Sequence, residues 1–545
     1  MKHIRFSSTT SACAAGLVCL LVYLPTLGCG FISYDDPDYV HNNPFIKHLD
    51  LGLLASAFST AHIGWWMPLN WVSLAIDYHF WGLNPLGYHL TNILLHSINS
   101  GLVVLIADKL LCRQRLGDEG REDAAGYLYP ATILLAGLLW GLHPLRVESV
   151  AWVTERKDVL NGLFSLGSIL LYLRYVQSRD QAGRGRVGLY LLSLLLFALS
   201  LMAKSISVVL PAMLLVIDWY PLKRLHKGSI FPLLTEKLPF LLLSVIMAVI
   251  TMHFGSQAGY LVPYSAFPFS QRLAVSGHAL FEYSRLMLWP AGILPFYLIP
   301  DPIPVSYALK AIAFAIGAFF CFHQRQRRPW LLSMLLLFLL PMLPILAFFQ
   351  NGDQALAARF TYLPSLAPTI VAVLASGALC SGLLKSGRGA TLCGTVALAA
   401  VLACVSVTLT GISVWQDSVS LWTRVIDLRP EVASYKERGR IYLDRGDYGA
   451  AVNDFSSAIS LASGVWQRKV YNLYAFRGEA NRSMGRLAEA VQDFTAAIAI
   501  YPHPVYYYHR GMALQQLGRA VAASEDFARA SGMTGPLEWF ERAEH

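Results

Sequence analysis

Apolar runs on the scale of a bilayer crossing recur along the first three quarters of the chain and then stop. They fall at 9–28, 90–107, 129–143, 159–173, 187–202, 205–219, 238–253, 304–322, 330–349, 363–380 and 391–412. Runs 187–202 and 205–219 meet at Lys204 and together exceed one helix, so a tight hairpin is expected there. No small-residue cleavage site stands out before Asp35, so 9–28 reads as a retained first span, not a signal peptide. The stretch 274–290 is also apolar, but His278, Glu282 and Arg285 recur on one helical face. That is the pattern of a helix lying in the membrane interface.

After Trp415 the pattern changes to a repeat. Gly439, Gly478 and Gly511 are each followed seven residues later by Gly446, Gly485 and Gly518, and twelve further on by Ala458, Ala497 and Ala530. Successive copies start 39 and 33 residues apart, bracketing the period of about 34 of the tetratricopeptide helix–turn–helix repeat. The order in RGDYGAAVNDFSSAI and MGRLAEAVQDFTAAI fits it, with 415–430 as a half-repeat cap. Stacked pairs of this kind present a concave surface to an extended peptide. The expected fold is therefore all-α: a polytopic bundle of eleven spans over 1–412, then an α-solenoid over 413–545.

Composition agrees. The 545 residues are 55% hydrophobic and 14% charged, against about 25% charged in an ordinary soluble domain. Eight scattered cysteines without a CxxC exclude a disulfide framework and a zinc site. The net charge of +9 belongs entirely to the membrane part, because residues 415–545 carry fifteen basic and fifteen acidic side chains. That excess reads as a topology signal before it reads as nucleic-acid binding. With eleven spans and a cytoplasmic N-terminus, nineteen of the twenty-eight basic residues of 1–414 collect in inside loops. The chain is then a multi-pass membrane protein, with the first outer loop (31–89), the outer loop 254–303 and the repeats on the non-cytoplasmic side.

Nine basic residues remain unexplained: Lys47, Arg146, Arg156, Lys157, Lys204, Arg272, Arg285, Lys310 and Arg359. All lie on the outer side, where the first loop begins FISYDDPDYVHNNP with Asp35 and Asp36 adjacent and His41 close behind. Charges at a membrane surface stay solvated or find partners, because an unpaired buried charge is costly. Trp65, Trp66, Trp71, Tyr78 and Trp81 suit a helix resting at the headgroups. The stretch HPLRVESVAWVTERKD presents Arg146, Glu148, Glu155, Arg156, Lys157 and Asp158 in what reads as a solvated outer loop. Lys204 and Arg359 are lone cations on that side, each explicable by snorkelling, but together favouring a shared anionic ligand. His89, Asn92, His96 and Asn99 share one face of the second span and read as interhelical hydrogen bonding in the bundle interior.

These pieces resemble a known family. FISYDDPDYVHNNP, PLGYHLTNILLHSINS, LHPLRVESVAWVTERKDVL, MAKSISVVLPAMLLVIDWYPLKR, QALAARFTYLP and VWQDSVSLW, followed by the repeats, occur in one order over nearly the whole chain. The combination is similar to the transmembrane and tetratricopeptide-repeat proteins implicated in O-mannosylation, and to their bacterial relatives. The resemblance implies a C-type glycosyltransferase fold and a polyprenyl-phosphate sugar as co-substrate. It implies an acceptor held by the repeats, a protein or peptide hydroxyl, and no nucleic acid. It puts the family's acidic pair at Asp35 and Asp36, with Asp35 as the base and Asp36 positioning the acceptor or raising its partner's pKa. Arg359, Lys204, Arg156 and Lys157 become candidates for the donor phosphate, and Glu155, His41 and Tyr362 accessory residues, Glu155 as a second acid or metal ligand. The need for a divalent metal stays open. A non-catalytic scaffold that binds partner proteins through the repeats is the alternative; a transporter is disfavoured, because the suspicious groups sit at span ends.

Overall fold

The computed structural model describes residues 7–115, 122–178, 184–226, 228, 230–260, 263–265, 267–295, 297–300, 302–349, 354–380, 387–463 and 465–534. Of the basic residues read as topology signals, Lys2, Arg5, Arg121, Arg179, Lys227 and Lys385 lie outside them. The chain divides into two compact units, Met1–Ile299 with Ile303–Gln416, and Asp417–His545.

The first unit is a helical bundle. Its helices are α1 (Ser8–Tyr23), α2 (Leu51–Ser59), α3 (Pro68–Trp81), α4 (Pro85–Arg115), α5 (Glu122–Gly141), α6 (Val147–Ala151) and α7 (Arg156–Gln177). They continue with α8 (Arg184–Ala203), α9 (Leu210–Trp219), α10 (Ile230–Gln257), α11 (Phe269–Leu288), α12 (Val305–His323), α13 (Pro329–Met342), α14 (Leu366–Cys380) and α15 (Gly387–Val414). A two-stranded pairing of Tyr297–Leu298 with Gln354–Leu356 is the sheet content among the described residues. All eleven expected apolar segments are helical, but they are unequal. Among the described residues seven helices are long and apolar enough to cross a membrane, or eight counting the bent pair Tyr129–Gly141 and Pro144–Ala151. The segments Ser205–Trp219, Pro329–Ile345 and Leu366–Gly377 are shorter.

Helices α1, α4 and α5 approach closely through small residues, the usual device where lipid offers no hydrophobic drive between helices. A Cβ on Gly16 would lie 2.9 Å from the Ser97 carbonyl oxygen, and one on Gly137 2.4 Å from Val104. The polar face of α4 points inward as expected, with His89, Asn92, His96 and Asn99 all fully buried. Asn92 donates to the carbonyls of Val150 and Trp152. Asn99 donates to the Val159 carbonyl, and His96 bridges the Gly141 carbonyl and the Tyr362 hydroxyl. The second span thus holds the 141–159 segment by its backbone.

The first outer loop has a core of its own. Tyr39, Val40, Ile46, Leu53, Trp71, Leu74 and Tyr88 pack together with Val153. Trp71 is therefore part of that core and not a headgroup anchor; Phe80 and Trp81 at the end of α3 are exposed instead. The polar face of α11 likewise meets a neighbour: Glu282 pairs with Lys310 of α12 at 2.7 Å, and His278 stacks on Tyr307.

The second unit is a run of paired helices, Ser418–Leu428, Val432–Asp444, Tyr448–Leu461, Val465–Ser483, Leu487–Ile500, Pro504–Gln516 and Ala520–Ser531. The repeat glycines have a steric reason. A Cβ on Gly439 or Gly511 would come within 2.8 Å of the Phe455 or Phe527 ring of the following helix. The second glycine of each copy turns the chain at positive φ, 77–80°, where residues with a Cβ are disfavoured. Three acids of this unit, Asp454, Asp493 and Asp526, are buried. Arg438, Arg477 and Arg510 each precede a repeat glycine and pair with Asp454, Asp493 and Asp526. Each also donates to a hydroxyl of the preceding helix pair or cap, Thr423, Ser456 or Thr495.

Candidate active site

The stretch expected to be a solvated loop is the most buried segment of the unit: every residue from Pro144 to Leu160 is buried. Two short helical turns and the start of α7 carry it into the bundle, where it meets residues from distant loops. Of its charges, Arg146 is fully buried and donates to the Thr361 hydroxyl, with no carboxylate partner among the described residues.

Asp36 is one of those partners. Its carboxylate is fully buried. One oxygen accepts from the Ile32 amide at 2.7 Å, the other from the Thr154 amide at 3.0 Å and the Thr154 hydroxyl. With both oxygens occupied and no exposed surface, Asp36 staples the acidic loop to the 153–155 turn. Burial pushes its carboxyl up to about 7, against the pull of the Thr154 and Ile32 donors, with a smaller push from the neighbouring Asp35 charge. Asp35 stays half-buried. The Tyr39 phenol is held well above its ordinary range by burial, then by the charges of Asp35 and Glu155, and Tyr260 feels Asp35 and Asp38.

The cations separate into two groups. Lys157, Lys204 and Arg359 converge on Glu155: Lys157 Nζ lies 3.1 Å and Arg359 Nε 3.2 Å from one carboxylate oxygen, and Lys204 Nζ 3.4 Å from the other. Each has a second anchor. Lys204 pairs with Asp158, Arg359 with Glu148 and the Gln354 side-chain oxygen, and Lys157 reaches the Tyr39 hydroxyl at 3.4 Å and lies over its ring. Neither lysine is snorkelling, and Arg359 is not a lone cation. Burial works against the Arg359 guanidinium, but the Glu148 and Glu155 carboxylates outweigh it and hold it above the ordinary arginine range.

Arg156 does not join them. It is fully buried and its guanidinium is taken up by Asp77 at 2.6 Å, Ser73, Asn92 and the Tyr88 carbonyl. Its role is to lock α3 to α4 and α7, so the phosphate-binding expectation for this residue is corrected. Tyr362 is also internal: its hydroxyl meets His96 and Asn99 inside the bundle. His41 packs edge-on against Phe31, within the loop core. Glu148, Asp158 and Tyr39 are the members that sequence reasoning left without a role. Glu148 and Asp158 were visible as charges in HPLRVESVAWVTERKD, but nothing in the spacing told a buried partner from a solvated one. Among the described residues, no three His, Cys, Asp or Glu side chains are grouped to hold a metal ion.

Residues 471–504 match the tetratricopeptide repeat family. The chain is also similar to curated relatives. Protein O-mannosyl-transferase tmtc2 of Xenopus laevis is 34% identical over 29% of this chain and 18% of its own length. TMTC2 of Mus musculus is 28% identical over 54% of the chain and 34% of its own length, and human TMTC1 24% identical over 71% and 48%. This chain is similar to the transmembrane and tetratricopeptide-repeat protein O-mannosyl-transferases. It spans less than half the length of these relatives. Among solved structures, the crystal structure of ArnT from Cupriavidus metallidurans bound to undecaprenyl phosphate aligns over 88% of this chain and 79% of its own, at 13% identity and a TM-score of 0.37.

Proposed function

We propose that the membrane unit is a glycosyltransferase. It moves a sugar, with mannose the first candidate, from a polyprenyl-phosphate donor to a Ser/Thr hydroxyl of a protein that the repeats bind. The observation that carries this reading is the convergence of three cations from three separate chain segments on one buried carboxylate, beside the acidic loop. The three cationic side chains keep 10–14% of their surface exposed while Glu155 keeps 1%, so the carboxylate is the more enclosed member of the cluster. The similarity to protein O-mannosyl-transferases supports the transfer chemistry.

In this reading Asp35 accepts the proton of the acceptor hydroxyl, a general-base role. The acceptor oxygen forms a bond to the anomeric carbon as that carbon's bond to the phosphate oxygen breaks. The electron pair leaves on the phosphate, where Lys157, Lys204 and Arg359 stabilise it; fixed charges aimed at developing charge are the largest usual contribution to catalysis. Asp36 holds the loop that carries Asp35 and does not touch the substrate. The acidic loop faces the periplasmic side of a bacterial inner membrane.

Asp35→Asn tests the assignment. Purified protein is supplied with a panel of polyprenyl-phosphate sugars and an acceptor protein fraction, and product is followed by mass analysis. The variant is expected to lose roughly 10²–10⁴-fold in transfer while still binding polyprenyl phosphate. Wild-type turnover by Asp35→Asn would remove the base from the proposal. A pure scaffold, the reading that the tetratricopeptide match alone favours, predicts no transfer by either protein.

A further inference from the structure

Glu155 has three descriptions open to it: an acid, a ligand for a metal, or a counter-charge. Its geometry fits none of them simply. It is 1% exposed, and both oxygens face cations, Lys157 and Arg359 on one and Lys204 on the other. No face is left for a substrate proton. Yet it is the group that all three cations share. Lys157 lies in the first turn of α7, Lys204 at the break between α8 and the 205–209 turn, and Arg359 in the turn after the Gln354–Leu356 strand. Their other anchors are private: Tyr39 for Lys157, Asp158 for Lys204, and Glu148 with Gln354 for Arg359.

We infer that Glu155 is a positioning residue that sets the spacing of Lys157, Lys204 and Arg359, so that the N–H groups their internal contacts leave over converge on the oxygens of one phosphate. This deepens the proposed function and rests on its donor-phosphate reading. Three like charges held close repel one another unless a carboxylate sits among them. The second anchors tie the cations pairwise to other segments, Lys157 to the acidic loop, Lys204 to α7 and Arg359 to α6, but among these contacts Glu155 alone touches all three cations. Oxyanion recognition needs that register, because charge-assisted hydrogen bonds weaken steeply with misalignment. Nearness to the cluster also explains why the 144–160 segment is buried: the shared carboxylate has to be beneath the cations, not beside them.

The test compares two lipids of equal chain length, undecaprenyl phosphate and undecaprenol, binding to the full-length protein in lipid nanodiscs. Wild type is expected to prefer the phosphate. Glu155→Gln keeps the side-chain shape but removes the charge. It is expected to lose at least about tenfold in phosphate affinity, roughly 1.4 kcal/mol, with undecaprenol affinity unchanged. Glu155→Asp keeps the charge on a shorter arm that cannot reach all three partners, and is expected to fall between the two; it also serves if the Gln variant does not accumulate. Equal or tighter phosphate binding by Glu155→Gln overturns the inference and leaves Glu155 a counter-charge. Loss of both lipids in parallel also overturns it, in favour of a purely architectural role. If wild type does not distinguish phosphate from alcohol, the donor reading itself falls and takes this role with it.

Discussion

Two adjacent aspartates divide their labour by burial. Asp36 is closed in by three donors and Asp35 is left half-buried, so the same substitution should have opposite signatures at the two positions. Asp36→Asn places an amide N–H₂ against donors that need an acceptor, and an unsatisfied buried group costs about 1–3 kcal/mol. It is expected to lower the thermal midpoint of the membrane unit, whereas Asp35→Asn should leave that midpoint in place and affect transfer. The Asp36 carboxyl also sets a pH dependence. Its pKa is raised in the folded state to about 7, so the folded protein holds a proton that the unfolded chain has released. The corresponding stability is fully present below the ordinary carboxyl range near 4 and is lost as pH rises through about 7, on the order of 4 kcal/mol in all. Melting of the wild type between pH 4 and 8 should therefore show a decline that Asp36→Asn lacks; parallel curves would show that the staple does not titrate in that window.

At the scale of elements, the repeat helices are stitched by one residue type. Arg477 donates to Asp493 within its own helix pair and to Ser456 of the pair before, and Arg510 does the same with Asp526 and Thr495. Arg477→Ala removes the counter-charge of Asp493, which is 7% exposed and keeps only the Asn481 amide as a side-chain donor, and loses the link to the preceding pair. A cost of roughly 2–3 kcal/mol follows for hydrogen bonds between charged groups. Hydrogen exchange should show lost protection in 448–461 and 487–500, and unchanged protection in the membrane helices. This arrangement was half legible in the sequence. The glycine and alanine period announced the repeat, because steric contact demands small residues at fixed spacing. The Arg–Asp stitch, sixteen residues apart, carries no such compositional mark. The same contrast holds in the membrane unit. Span positions and the inward polar face of α4 could be read from periodicity. The burial of 144–160 could not, because a stretch with six charges reads as solvated unless its partners, 118 to 211 residues away for Asp36 and Arg359, are known.

For the whole molecule, the division into two units predicts separable activities. A chain ending before Asp417 should bind undecaprenyl phosphate within about twofold of wild type, measured in nanodiscs, while failing to modify acceptor protein. Loss of lipid binding on removing the repeats would contradict that separation. The staple at Asp36 has one more consequence, for biosynthesis. Its partner Thr154 lies 118 residues downstream, and Arg359 joins Glu148 across a further separation of 211 residues. At a translation rate of about 5–20 residues per second, Asp36 leaves the ribosome on the order of ten seconds before Thr154 exists. For that interval its carboxylate must remain hydrated, and the candidate site is completed by one of the last membrane segments to be made. A ribosome that stalls between Leu160 and Arg359 would release a chain whose Glu148 and Glu155 lack the Arg359 counter-charge, leaving uncompensated acids for quality-control proteases to recognise.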